Sequence, residues 1–165
     1  MSQRLACELS DRIAAIAPIA GGNQFSALEY CSPVRAVPVL AIHGTEDRCW
    51  PYRGGAQTCL GLWSSKVYVP VPGTVAAWAS RNGCGPVPLV ENLPDVDPTD
   101  GTTVTRITYQ RCANGGDVVH LRVNGGGHTW PGGSAILPSL IVGRLSREFS
   151  ANKVMWEFFK SHPMR

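Results

Sequence analysis

The chain has 165 residues, of which 44% are hydrophobic and 16% charged, a composition that fits one folded domain with its own core. Fifteen basic and 12 acidic residues give a formal charge of +3, and the basic residues are scattered along the chain. This pattern argues against a nucleic-acid surface. No run reaches the roughly 18 apolar residues of a membrane helix, and the start lacks the layout of a signal peptide.

The chain contains six cysteines, a high number for its length. No C-x-x-C pair is present, which argues against a zinc ribbon or a thioredoxin motif. Six cysteines allow 15 full pairings, and the sequence alone does not choose among them. The number favours an oxidising compartment, with buried free thiols as the alternative.

The first third predicts a helix followed by two buried strands. Apolar residues at i, i+4 spacing predict the helix over residues 1–9. The run from Ile13 to Ala20 and residues 37–42 are short and continuously apolar, which is typical of strands that are buried on both faces. Both runs therefore favour a parallel sheet that is covered by helices.

The remaining elements are a helix, a loop, a hairpin and a last helix. We expect Thr74 to cap a helix that ends at Asn82, and residues 85–101, rich in proline, aspartate and glycine, to form a surface loop. Residues 102–109 and 118–123 predict a hairpin. Ser150 can cap the final helix. No linker divides the chain, so residues 1–165 are predicted to form a single domain.

Two residues that can carry chemistry follow the predicted strands. Asp47 comes shortly after residues 37–42, and His128 follows residues 118–123 and three glycines. Ligands in open α/β sheets bind beyond the carboxyl ends of the strands, where an acid and an imidazole from two strands can meet. The acid would then orient the base and stabilise its cation, as in a nucleophile–base–acid triad. Taken separately, Asp47 is more simply a turn residue, and His128 is equally well a loop residue.

The other histidines and tryptophans have mainly structural interpretations. Trp50 and Trp130 lie close in sequence to the two candidate residues, where they could form aromatic walls for an acyl group or pack the loops locally. His43 is expected to make structural hydrogen bonds at a strand end, and His120, in mid-strand, to face solvent. The three residues assigned to the core are Trp63, Trp78 and Trp156.

Three blocks of sequence resemble one enzyme family, in the same order. They are LAIHGTED at 40–47, TVAAW at 74–78 with NGC at 82–84, and GGGHTWPG at 125–132. These blocks are similar to the polyhydroxybutyrate depolymerase-like and feruloyl-esterase-like branch of the α/β-hydrolases, and they span nearly the whole chain. The resemblance implies an α/β fold with a partial parallel sheet and covering helices.

The same resemblance implies a carboxylic-ester hydrolase that acts on a small ester or polyester, with Asp47 as the triad acid and His128 as the base. We expect no metal and no other cofactor. In this family the nucleophile stands in a G-x-S-x-G turn, and no such motif occurs in the chain. Residues 1–8 resemble the helix after that turn, so the chain looks like the carboxyl-terminal part of the fold.

Other nucleophiles are less convincing, because Ser2, Ser26 and Ser134 are more simply helix or loop hydroxyls and Cys49 is more simply a disulfide cysteine. The alternative is therefore a catalytically inactive hydrolase remnant or a binding protein.

A disulfide is predicted between Cys84 and Cys112, which close a helix and a strand around a long polar loop, and the resemblance supports it weakly.

Cys7–Cys31 and Cys49–Cys59 are expected as the further pairs. The cysteine count and the resemblance together predict a secreted or periplasmic protein.

In the family, the strand from Ile13 to Ala20 pairs with the strand that leads into the nucleophile turn. Because this chain lacks that neighbour, we expect self-association or aggregation through the open edge of residues 13–20.

Overall fold

The structure is a computed structural model, which describes residues 1–22, 31–59 and 67–164. Its strands, in chain order, are β1 (Val39–Gly44), β2 (Gly55–Ala56), β3 (Val67–Tyr68), β4 (Leu89–Asn92), β5 (Thr103–Tyr109) and β6 (Val118–Asn124). Its α-helices are α1 (Ser2–Glu8), α2 (Val71–Arg81), α3 (Ser139–Val142) and α4 (Ala151–Ser161).

The main sheet is mixed and has the strand order β1-β6-β5-β4. β1 is parallel to β6, whereas β5 is antiparallel to both β6 and β4. The predicted parallel sheet is therefore present only in part. The reason is that β5 and β6 form a hairpin, and a short connection forces its two strands to run antiparallel. The hairpin itself is confirmed.

The run from Ile13 to Ala20 lies along β1 but is not a regular strand. It makes two isolated parallel bridges, Ile16 with Val39 and Ile19 with Ile42. Pro18 stands between them and has no backbone N–H to donate, so a continuous ladder cannot form. The prediction of a full strand at residues 13–20 is wrong, although the run does lie beside β1.

Two other predicted elements need correction. α2 begins at Val71, after Pro70, so Thr74 lies inside the helix and does not cap it. Proline fixes φ near the helical value and suits the first turn, which moves the start upstream. The predicted loop 85–101 contains β4. All four residues of β4 are exposed, so it lacks the alternation of buried and exposed side chains that marks a half-buried strand. Ser150 does cap α4, since its hydroxyl accepts from the N–H of Lys153 at 3.4 Å.

The core lies on both faces of the sheet. Val39 and Ala41 of β1 pack in the cluster that contains Trp78 of α2, whereas Leu40 and Ile42 pack in the cluster against which α4 rests. Successive residues of a strand point to opposite faces, which is why both faces of β1 can be apolar and buried.

The tryptophans assigned to the core have three different outcomes. Trp78 is 1% exposed, so its prediction is confirmed. Trp156 is 63% exposed, so its prediction is wrong. The reason is that α4 turns Val154, Met155 and Phe158 towards the sheet and leaves Trp156 on its outer side. Trp63 lies outside the described residues.

Three disulfides join Cys7 to Cys31, Cys49 to Cys59 and Cys84 to Cys112. All three expected pairs are confirmed, and they are consistent with an extracellular or periplasmic location. Within the described part of the chain, no helix has the length and apolarity to cross a membrane.

Candidate active site

The candidate site lies where β1 and β6 end side by side. Gly44 of β1 is paired with Val123 of β6, and the loops that follow leave from the same edge. The N–H of Glu46 donates to the carbonyl of Gly126 at 2.9 Å. A Cβ on Gly44 would lie 2.2 Å from the oxygen of Gly126, so only glycine at position 44 allows the two loops to approach this closely.

Asp47 and His128 meet across this strand pair. His128 Nδ1 donates to Asp47 Oδ2 at 2.9 Å, with the side chain of Asp47 fully buried and that of His128 39% exposed. The predicted contact between acid and imidazole is confirmed. Because Nδ1 is engaged, Nε2 is the nitrogen left to exchange a proton with a substrate or a nucleophile.

The carboxylate of Asp47 accepts three hydrogen bonds and lies close to a second imidazole. Oδ1 accepts from the backbone N–H groups of Cys49 at 2.8 Å and Trp50 at 2.7 Å. Oδ2 accepts from His128 and lies 3.2 Å from Nε2 of His43, whose N–H donates to the carbonyl of Trp50. Burial opposes ionisation, but the interactions with His128, His43 and the backbone N–H of Trp50 outweigh it and hold the pKa of Asp47 below its ordinary value.

The imidazole of His128 is shifted in the direction that suits a base. Its hydrogen bond to Asp47 raises the pKa of His128 above the ordinary 6.5, partial burial opposes the rise, and the charge of the carboxylate adds to it. Asp47 therefore stabilises the imidazolium that would form when His128 takes up a proton.

A cleft of about 330 Å³ opens beside His128. Trp130 lines it, together with Leu137 and Val142, so its walls are mainly apolar. Trp130 is 44% exposed and is anchored by its indole N–H, which donates to Asn152 at 3.0 Å. The structure therefore brings Trp130 and His128 together, as the aromatic-wall interpretation requires.

Trp50 lies elsewhere. Its ring packs edge-on against Tyr68, with the ring centroids 4.6 Å apart, and lines a separate cleft with residues of α1. Local packing, the other interpretation of Trp50, fits this position better. Its backbone has a role that the sequence did not reveal, because its N–H binds the carboxylate of Asp47 and its carbonyl binds His43.

The structure corrects the prediction for His120. This residue is 1% exposed, whereas solvent exposure was expected, because β6 is an inner strand of the sheet with both faces covered. Nδ1 of His120 donates to the carbonyl of Ala41 at 3.1 Å, and the hydroxyl of Tyr52 donates to Nε2 at 3.1 Å. Burial lowers the pKa of His120 to about 4.

One group of potential metal ligands occurs in the described part of the chain: Asp47, Cys49 and His128. The sulfur of Cys49 is bonded to Cys59, so it cannot supply the thiolate that binds metals. The two remaining ligands already bind each other, and the donor set does not favour a metal centre.

The chain is similar to esterases. One relative, described as "Putative esterase NocK" from Nocardia uniformis subsp. tsuyamanensis, is 32% identical over 163 residues, which cover 96% of this chain and 47% of that protein. Feruloyl esterase B from Piromyces equi is 32% identical over 131 residues, which cover 78% of this chain and 22% of that protein. The chain thus spans about half the length of the first relative and about a fifth of the second. No family model matches it.

Proposed function

We propose that the chain supplies the acid and the base of a carboxylic-ester hydrolase of the α/β-hydrolase type, with Asp47 as the acid and His128 as the base. The observation that carries the proposal is the contact of 2.9 Å between them, at the edge of the sheet and beside an apolar cleft. The similarity to two proteins named as esterases supports it.

In this mechanism Nε2 of His128 removes the proton of a serine hydroxyl, which attacks the ester carbonyl. The imidazolium, stabilised by Asp47, then protonates the leaving alcohol, and a water molecule activated in the same way releases the acid. The serine is not assigned, because no G-x-S-x-G turn occurs in the sequence. Ser134 lines the cleft beside His128 but belongs to an exposed loop.

The cleft supports a substrate with an apolar acyl group. Trp130, Leu137 and Val142 offer apolar surface next to the base, which suits an aromatic or short aliphatic acid of a small ester or a short polyester. The three disulfides support a secreted or periplasmic location, where such substrates are met.

The test is hydrolysis of a p-nitrophenyl short-chain ester by the wild type and by Asp47→Asn and His128→Ala variants. We expect each variant to lose about 10³- to 10⁴-fold in turnover, because the base is then misoriented or absent. The matched controls are Asp117→Asn and His162→Ala. These residues form a second acid–imidazole pair, at 3.0 Å, that is remote from the cleft and should leave turnover unchanged.

Turnover that survives His128→Ala would contradict the proposed mechanism. A wild type that hydrolyses no ester and takes up no fluorophosphonate would favour the alternative function, an inactive hydrolase remnant or a binding protein. The absence of a G-x-S-x-G motif is the observation behind that alternative.

A further inference from the structure

The carboxylate oxygen that faces the candidate base is shared by two histidines. Oδ2 of Asp47 accepts from Nδ1 of His128 at 2.9 Å and lies 3.2 Å from Nε2 of His43. The two imidazoles differ in surroundings, since the side chain of His43 is 2% exposed and that of His128 is 39% exposed. His43 is therefore the donor that is fixed inside the protein.

The surroundings of His43 determine which of its nitrogens carries hydrogen. Nε2 lies 2.9 Å from the carbonyl oxygen of Trp50, and a carbonyl can only accept. Nε2 must therefore be protonated; its N–H donates to the carbonyl of Trp50, and Oδ2 of Asp47 lies 3.2 Å from the same nitrogen. His43 stands in β1 and its ring contacts Tyr52, with 6.0 Å between centroids, so it cannot easily turn away.

The two oxygens of Asp47 are held in different ways. Two backbone N–H groups hold Oδ1, and these belong to the turn after β1. Without His43, Oδ2 would depend on His128 alone, a half-buried side chain on a glycine-rich loop. A buried carboxylate oxygen with unmet hydrogen-bonding capacity is costly, so the carboxyl group would be free to turn towards another donor.

We propose that His43 is a positioning residue, which fixes Oδ2 of Asp47 so that the carboxylate faces Nδ1 of His128 before any substrate binds. The inference rests on the proposed roles of Asp47 and His128. Its consequence is that His43 selects the tautomer of His128: a carboxylate held in this orientation requires hydrogen on Nδ1 and leaves Nε2 free to accept a proton.

The test reads tautomers directly by ¹⁵N NMR of the histidine rings, above the pKa of His128. In the wild type we expect hydrogen on Nε2 of His43 and on Nδ1 of His128. In His43→Phe, which keeps a ring but removes the donor, we expect the Nε2–H tautomer of His128 to become populated. His43→Gln can return an N–H near the original position and should restore the wild-type spectrum.

His120→Gln is the matched control, because it removes a second buried histidine that does not contact Asp47. It should leave the tautomer of His128 unchanged. Where esterase activity is measurable, His43→Phe should lower kcat about 10-fold or more with little change in KM, since the base is misoriented while the cleft is intact.

Two results would overturn the inference. One is hydrogen on Nδ1 of His43 in the wild type, a measurement that needs no variant and stands even where His43→Phe does not fold. The other is a folded His43→Phe in which His128 keeps its Nδ1–H tautomer, which would make His43 a packing residue only. Both are read without substrate, so a chain that hydrolyses no ester would refute the proposed function and leave this inference testable.

Discussion

The buried histidine of the central strand should make the protein sensitive to acid. His120 donates from Nδ1 to Ala41 and accepts at Nε2 from Tyr52, so it is neutral in the folded state. Protonation would place the ring's second hydrogen on Nε2, where it would face the hydroxyl hydrogen of Tyr52 in a buried site. Burial is the main reason that the pKa of His120 falls from the ordinary 6.5 to about 4.

The size of the effect follows from this difference. At 1.36 kcal/mol per pKa unit, a displacement from 6.5 to about 4 corresponds to about 3 kcal/mol. Between these two values the unfolded chain binds a proton that the folded chain does not, so the free energy of unfolding decreases as pH falls. The stability that neutral His120 provides is fully present above pH 6.5 and is lost progressively down to about pH 4.

The variant His120→Asn removes the titration and keeps a donor that can reach the carbonyl of Ala41. We expect it to be less stable at pH 7, by about 1–3 kcal/mol, because the hydroxyl of Tyr52 loses its acceptor. The decisive quantity is the loss of stability between pH 7 and pH 4, measured by urea unfolding with the disulfides intact. This loss should be smaller in the variant by about 3 kcal/mol. An equal loss in both proteins would show that His120 is not the acid-sensitive group.

Two further predictions concern the backbone around the site and the disulfide farthest along the chain. Gly44→Ala should lower the free energy of unfolding by about 1–3 kcal/mol and weaken the contact of the acid with the base, because the new Cβ would meet the backbone of Gly126. The control is Gly73→Ala on α2, where a Cβ meets open space, and it should leave stability unchanged or raise it. A Gly44→Ala protein as stable as the wild type by thermal unfolding would contradict this. Replacing Cys84 and Cys112 together by alanine should cost about 3.5 kcal/mol, from the loop-closure entropy of their sequence separation of 28, and unchanged urea unfolding would refute that reasoning.

The acid–imidazole contact could be predicted from the sequence because it depends on local rules. Two apolar runs, each followed by a turn and a chemically active residue, place Asp47 and His128 at one edge if the runs are parallel neighbours. That is the pairing of β1 with β6. The blocks shared with a known family supported the same residues, and the three disulfides are the pairs that were expected.

The features that escaped prediction depend on long-range neighbours. His120 was expected to face solvent because a histidine in mid-strand has no signal of what covers it, and only the position of β6 between β1 and β5 buries it. β4 was expected to be loop because residues 85–101 are rich in proline, aspartate and glycine, and its pairing with β5 is what makes it a strand. The contact of His43 with Asp47 was missed because a spacing of four residues predicts a contact only in a helix. Here His43 lies at the end of a strand and Asp47 lies in the turn that follows.

The backbone groups that hold the carboxylate of Asp47 lie apart from the exposed stretch that supplies much of the cleft wall. Asp47 is held by the turn after β1, which the disulfide from Cys49 closes and the buried ring of His43 supports. His128 is held by its backbone N–H, which donates to Val142 at 2.6 Å. Much of the apolar wall, in contrast, comes from the exposed loop residues 135–137, whereas Val142 is buried. Changes in that loop can therefore alter which acyl group fits while the orientation of the base is preserved, because no residue of the exposed stretch 132–140 holds the carboxylate of Asp47.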